Sequence, residues 1–388
     1  MQKLLQAFTL CGLFFLVFSC GSVDQKPTEL PAKKEAVRGV WMTNVASEVL
    51  LSRENIIESV ELLDSLGFNT IFLVTWNRGN TIYQSDIMKN FTGRSIDPKY
   101  GDRDPLEEVI EEAHKRDIKV FAWFEFGFAS SYGDDTGGAL IQQKPEWASK
   151  DINGDITAKN KFQWMNALHP EVQDFITSLV LEVVNKYDVD GIQGDDRLPA
   201  MPSNGGYDEF TVELYKSEHS GKEPPANHLD FEWVSWRAQK LNEFLKALYT
   251  SVKQADPECL VSMSPSVYPW SKENYLQDWP TWVRQGYVDL VCPQLYRYNI
   301  DAYNQLLEEI TSWQLADSDL PIFYPGVLLQ VDKYNPSEEM LRAMIESNRT
   351  YGINGEVYFF YEGIKKFKGL FSEMYAEPVS FPELTKKK

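Results

Sequence analysis

From Val37 onward the chain alternates two hydropathy patterns, and this alternation constrains its fold more than any other feature. Short apolar runs rich in β-branched and aromatic residues read as buried strands. They are Val37–Asn44, Asn69–Trp76, Ile118–Gly127, Gly191–Asp196, Cys259–Ser266, Asp289–Tyr296, Pro321–Leu329 and Gly355–Glu362. Between them apolar residues recur at helical spacing, as in Glu54–Leu66, Pro105–Arg116, Pro170–Tyr187, Glu232–Ala255, Ala302–Trp313 and Ser337–Tyr351. Asp104-Pro105 supplies an N-cap followed by proline at the first helical position. Strands separated by helices pair in parallel, because a parallel partner needs a crossover. The expected fold class is therefore α/β: a single (β/α)8 TIM barrel over residues 37–372, with long insertions after strands 3 and 4. A doubly wound open sheet competes, but it usually carries a Gly-rich phosphate turn after its first strand, and Trp41-Met42-Thr43-Asn44 is not one. The insertions, Phe128 to Asn166 and Arg197 to Leu229, both follow a strand, so they belong to the face where barrel active sites form.

The ends of the chain carry a different message. Residues 1–19 hold one charge, Lys3, before a short apolar run that ends in small residues, which is the pattern of a secretory signal. Val17-Phe18-Ser19-Cys20-Gly21 resembles a bacterial lipobox, which implies cleavage before Cys20 and acylation of that cysteine. Residues 20–36 then read as acylated Cys and flexible tether, and residues 373–388 as a C-terminal tail. The localisation expected is an exported, membrane-anchored lipoprotein of the bacterial cell envelope. By resemblance to lipoprotein sorting, Gly21 favours the outer membrane of a Gram-negative cell. Of the remaining cysteines, Cys11 leaves with the signal, and Cys259 and Cys292 sit in strand-like runs as two buried thiols. No Cys or His spacing suggests a metal, and no cofactor motif is present.

Charge narrows the partners. The chain has 38 Lys+Arg against 57 Asp+Glu, a formal charge of −19, which argues against nucleic acid as a partner. Its 11 Trp suit sugar stacking as well as a large core. An acidic body recognising a glycan is expected to rely on stacking and neutral hydrogen bonds. The sequence names no protein partner.

Side chains at the C-terminal ends of barrel strands are the ones to weigh for chemistry. In the fourth strand Ile192 faces the helices, so Gln193 and Asp195 share the interior parity, with Asp196 and Arg197 just beyond. A carboxylate at the edge of an apolar strand needs either a partner, which Arg197 supplies as a structural ion pair, or a role in catalysis. Glu125 stands among aromatics in Trp123-Phe124-Glu125-Phe126-Gly127, where desolvation favours the protonated acid, or where it bonds a loop backbone or an arginine. Glu362 is a second candidate acid at the mouth, while Glu356, at the other end of the last strand, reads as structural. Gln294, Tyr296 and Arg297 close the sixth strand. Asn44, Trp76, Asn77, Arg78, Trp123, Trp164 and Asn166 fall at strand ends or in the long insertion, either as sugar-stacking and hydroxyl-binding groups or as core. Ser262, Ser264 and Ser266 share a face but lack the nucleophile elbow of a serine hydrolase.

Several stretches together resemble the glycosyl-hydrolase-like family 10 domain, once called domain of unknown function 187. They are Arg38–Asn44, Trp123–Gly127, His169–Val172, Asp190–Arg197, Pro293–Tyr296 and Gly355–Gly363. The resemblance covers about residues 37–370 and implies a (β/α)8 barrel. It implies a glycoside hydrolase acting on O-glycosyl bonds, with peptidoglycan glycan strands stripped of stem peptides as substrate. Asp195 aligns with the fourth-strand carboxylate of chitinase-like and amylase-like barrels. Arg197 stands where chitinases carry a catalytic Glu, a departure from their pattern. The alternatives are a non-catalytic carbohydrate-binding lipoprotein on a degenerate barrel and an envelope scaffold that binds a protein.

Overall fold

The structure, a computed structural model, describes residues 34–384. The signal, Cys20 and most of the expected tether lie outside the described residues. The eight expected strands are present as β1 (Val37–Met42), β2 (Thr70–Val74), β3 (Lys119–Trp123), β4 (Gly191–Gly194), β5 (Leu260–Met263), β6 (Leu290–Val291), β7 (Gly326–Leu328) and β8 (Gly355–Phe359). They form one parallel sheet in the order β6-β5-β4-β3-β2-β1-β8-β7. Parallel bridges Val291–Phe323 and Gln294–Gly326 bring β6 against β7, so the sheet curls into a barrel. The interior is packed. Trp41 lies 5.8 Å from Phe72, and Phe72 lies 4.9 Å from Phe121, ring centre to ring centre. Trp41 Nε1 donates to Gln193 Oε1 at 2.6 Å, and Gln193 Nε2 donates to Ser262 Oγ at 2.9 Å. These bonds confirm the interior parity of Gln193. Gly191 is what admits the Phe121 ring, because a Cβ there would lie 2.4 Å from it.

Helices α1 (Arg53–Ser65), α2 (Pro105–His114), α3 (Pro170–Lys186), α4 (Phe231–Ala255), α5 (Trp279–Gln285), α6 (Ile300–Glu309), α7 (Glu338–Thr350) and α8 (Lys368–Met374) follow the strands. Ser52, Asp104, Asp230, Asn299 and Ser337 each accept a backbone N–H of the first turn, so helix entry is encoded locally. Helices α5 and α8 span only 7 residues each, too short for a periodic signal.

The insertion after β3 is a small antiparallel sheet of Ala129–Tyr132, Phe162–Trp164 and Ala158–Lys159. The insertion after β4 contains the helix Glu209–Glu218 and is tied to α4 by the buried Arg237. Arg237 donates to the carbonyls of Ser203, Gly205 and His228 at 2.6, 2.6 and 2.8 Å, and burial lowers its pKa to about 9. At the N-terminal end of the barrel Glu356 is buried under Arg349 and Asn348 of α7 and Tyr375. The segments expected as tether and tail meet: Lys34–Glu35 pairs in parallel with Val379–Ser380, and the ring of Phe381 lies 6.2 Å from Phe121. Two-residue strands leave no hydropathy pattern, so this floor was not legible beforehand.

Candidate active site

Two adjacent strand ends build the site. Gln193 of β4 pairs with Trp123 of β3, and Phe124 N–H donates to the Gln193 carbonyl at 2.8 Å. Beyond them Glu125 sits in the turn after β3, past the end of the strand, which was expected to run on to Gly127, and Asp195, Asp196 and Arg197 follow β4 directly. The two turns are held together by Phe128 N–H donating to the Arg197 carbonyl at 3.0 Å. Gly127 makes that approach possible: its φ is +47°, and a Cβ would stand 2.2 Å from the Arg197 carbonyl oxygen.

Arg197 is the hub. Its Nη2 donates to Asp195 Oδ2 at 2.8 Å and lies 3.7 Å from Glu125 Oε1, while Nη1 lies 2.9 Å from Asp196 Oδ1. Nε donates to the Glu125 carbonyl at 2.7 Å. The guanidinium also lies 4.9 Å from the centre of the Phe162 ring. Asp195 is almost fully enclosed, its side chain 2% exposed, and both its oxygens are engaged. Oδ1 accepts the Arg197 backbone N–H at 2.9 Å, and Oδ2 accepts Trp123 Nε1–H at 3.2 Å besides Nη2. Glu125 accepts from Asn77 Nδ2 on Oε2, and among the described residues its other oxygen has no closer partner than Nη2.

Three carboxylates therefore share one guanidinium. Burial pushes Asp195 well above, and Glu125 above, the ordinary carboxylate range, with Arg197 opposing, while Asp196 repels a charge on either; the hydrogen bonds, not burial, distinguish the two. Burial works against the Arg197 charge, but Asp195, Asp196 and Glu125 outweigh it and hold the cation firmly protonated. Asp195 and Glu125 together therefore hold a proton more firmly than isolated carboxyls do. Asp195 is committed to three donors, all of which favour its ionised form. Glu125 is the group with an oxygen free to carry that proton.

These groups open into a cavity of about 180 Å³ lined by Trp41, Trp123, Phe162, Phe359 and Tyr296, with Ser264 and Gln294 also in its wall. Ser264 Oγ is buried with no partner among the described residues. Trp41, Phe359, Phe162 and Ser264 escaped the sequence reading as site residues. Strand parity marks Trp41 and Phe359, whereas Phe162 arrives from the insertion with no local signal.

Other candidates lie elsewhere. Glu362 bonds Ser47 Oγ at 2.8 Å and Lys365 at 2.9 Å and lines the larger cavity, about 710 Å³, between the loops after β1 and β8, apart from Asp195. Trp76 and Trp164 are not stacking platforms: both are fully buried, Trp76 donating to the Gly127 carbonyl at 3.0 Å. Asn166 is a buried structural residue, bonded to Asp208 and Thr211 at 2.8 and 2.9 Å. Asn44 is half-buried outside the cavity, and Arg297 lies beside it, donating to the Tyr296 carbonyl at 2.8 Å. Asn77, Trp123, Arg197, Gln294 and Tyr296 are brought together with Asp195, Asp196 and Glu125. Cys259 and Cys292 are free buried thiols.

A parallel barrel with clustered acids in an aromatic cavity at its C-terminal mouth defines a TIM-barrel protein of glycosidase-like design. The chain belongs to the glycosyl hydrolase-like 10 family, whose model matches residues 36–323. It is 25% identical over 340 residues to the glycosyl hydrolase DigH of Escherichia coli, covering 74% of each chain. It is 23% identical to the glycosyl hydrolase YngK of Bacillus subtilis, over 90% of this chain and 73% of that one. Among solved structures, the PgaB (BpsB) glycoside hydrolase domain of Bordetella bronchiseptica superposes with a TM-score of 0.65 at 14% identity, over 90% of this chain and 99% of that domain. That likeness is one of fold.

Proposed function

We propose that the chain is an exported, lipid-anchored glycoside hydrolase that cleaves glycan strands of bacterial peptidoglycan, with Glu125 as general acid and Asp195 as its ionised partner. The observation that carries the reading is the Glu125–Arg197–Asp195 arrangement inside an aromatic cavity. Glu125 gives its proton to the glycosidic oxygen as the bond to the anomeric carbon breaks. Asp195 stabilises or captures the positive charge that develops there, and water then completes the hydrolysis. One Nη2 reaches Asp195 Oδ2 at 2.8 Å and Glu125 Oε1 at 3.7 Å, so these two oxygens can be no further apart than those distances combined. Asp195 and Glu125 are therefore close enough to act on the same glycosidic bond. Asp196, also paired to Arg197, helps keep the guanidinium in place. The apolar run before Cys20 supports export and anchoring.

The test is incubation of the soluble body, without residues 1–20, with peptidoglycan carrying or lacking stem peptides, followed by mass spectrometry of the products. Glycan cleavage that Asp195→Asn and Glu125→Gln each abolish, with the fold intact, is the expected result. Binding with no product from the unaltered protein would instead favour a carbohydrate-binding barrel.

A further inference from the structure

One buried side chain reaches the catalytic turn without entering the cavity. Gln277 is fully enclosed and bonds the turn 195–199, which carries Asp195, Asp196 and Arg197. Its Nε2 donates to the Asp195 carbonyl at 2.8 Å and to the Pro199 carbonyl at 3.2 Å, so one amide bridges the two ends of that turn. The surroundings fix the orientation of the amide: turned over, it would set Oε1 against two carbonyl oxygens. As it stands, Oε1 is buried with no hydrogen-bond partner among the described residues.

The segment after β5 delivers Gln277 on a constrained backbone. The short helix Trp270–Tyr275 ends at Leu276, a buried leucine held in the left-handed conformation at φ +61°. Gln277 follows. Its N–H donates to the Ser271 carbonyl at 3.2 Å, and its own carbonyl accepts Ser271 Oγ–H at 3.0 Å. The segment is also docked on the insertion after β4 by Met201 N–H on the Tyr275 carbonyl at 3.1 Å and Ser203 N–H on the Asn274 carbonyl at 3.0 Å. None of these bonds uses the Gln277 amide. A buried acceptor without a donor is unfavourable, and an apolar side chain at 277 would remove it. What the amide adds is donation to two carbonyls without charge. A lysine or arginine there would place a second buried cation beside Arg197.

We propose that Gln277 is a positioning residue: its amide clamps the turn 195–199 and so fixes where the Arg197 guanidinium stands between Asp195 and Glu125. From the β3 side the same turn is held by Phe128 N–H on the Arg197 carbonyl, and the clamp holds it from the β5 side. Arg197 is the largest influence opposing the burial that raises Glu125, so a slackened turn lets the Glu125 pKa rise further. Asp196 moves with the turn and is a smaller influence, while Asn77 and Arg78 reach Glu125 from the β2 side. The consequence for turnover rests on the glycan-cleaving reading above; the clamp itself does not.

Gln277→Met keeps the length of the side chain and removes both donors. Carbon-13 NMR of the carboxyl groups follows Glu125 in the ligand-free protein, with Glu125→Gln identifying its signal. The expected result is a Glu125 titration displaced to higher pH by about half a pH unit or more. In the cleavage assay kcat should fall about tenfold or more with KM within about threefold, because Gln277 touches the turn and not the cavity. The basic limb of the kcat profile should move up with the titration. If Gln277→Met does not fold, Gln277→Asn keeps the amide but withdraws it by one carbon, and it is read in the same way. Failure of both to fold assigns Gln277 to the fold alone and overturns the proposal. An unmoved Glu125 titration in a folded variant, or full turnover, overturns it as well. A displaced titration in a protein whose unaltered form cleaves no glycan would sink the hydrolase reading and leave the clamp standing.

Discussion

Glu125 has one committed oxygen and one free one, and that asymmetry sets its behaviour. Asn77 donates to Oε2 and so favours the ionised form, partly offsetting the rise caused by burial. As an acid, Glu125 acts only while protonated, so turnover should fall as pH rises through its raised pKa. Asn77→Ala removes a lowering influence, and the basic limb of the kcat/KM profile should move to higher pH by up to about one unit. A limb that stays put or moves to lower pH would detach that limb from Glu125. Trp123 is the other informative position. Phe in its place keeps the ring and loses the Nε1–H bond to Asp195. Trp123→Phe should lower kcat by about ten- to a hundredfold, since a hydrogen bond to a charged group contributes about 1.5–3 kcal/mol, with an unchanged circular dichroism spectrum.

At the scale of elements, the site depends on two turns packed against each other, and Gly127 is where that packing is most exacting. Gly127→Ala imposes a left-handed backbone on a residue with a Cβ and drives that carbon into the Arg197 carbonyl. The backbone conformation alone costs about 1–3 kcal/mol, so the variant should melt several degrees lower and lose turnover as Arg197 shifts. A variant that melts lower but keeps full turnover would show that Arg197 tolerates displacement. At the opposite end of the barrel, burial works against the Glu356 charge, but Arg349, Tyr375 and Asn348 outweigh it and hold its pKa below the usual range. A depressed carboxyl stabilises the fold above its unfolded pKa, about 4.3, and that contribution is lost as pH falls through the lower folded value. Glu356→Ala leaves Arg349 facing an empty site and should cost about 3–5 kcal/mol in chemical denaturation, flattening the acid dependence of stability.

For the whole molecule, the described body is closed by its own ends. Ala36 N–H donates to the Ser380 carbonyl at 3.0 Å, and Phe381 packs towards the barrel floor. Catalytic-face groups lie at the other end of the strands, so stability and turnover separate here. Phe381→Ala should lower stability by about 1–2 kcal/mol and leave glycan cleavage unchanged. Loss of cleavage in a variant that still melts as one unit would mean that the floor and the mouth are coupled.

The sequence by itself determined the barrel. Eight apolar runs, their helical spacers and the capping residues are local patterns, and burial on both faces of a parallel strand leaves its mark residue by residue. The same reasoning reached Asp195 and Gln193, because alternation along a strand is also local. Glu125 came from its aromatic neighbours, although the turn rather than strand parity places it. Tertiary structure decided everything that depends on convergence. Trp76, Trp164 and Asn166 look like platform and hydroxyl-binding residues in sequence but are buried as core, and Glu362 opens into a different cavity. Phe162 reaches the mouth only because the insertion folds back as a sheet. A strand's periodicity is a property of neighbours in the chain. The surroundings of a carboxylate are a property of neighbours in space, and no spacing in sequence records them.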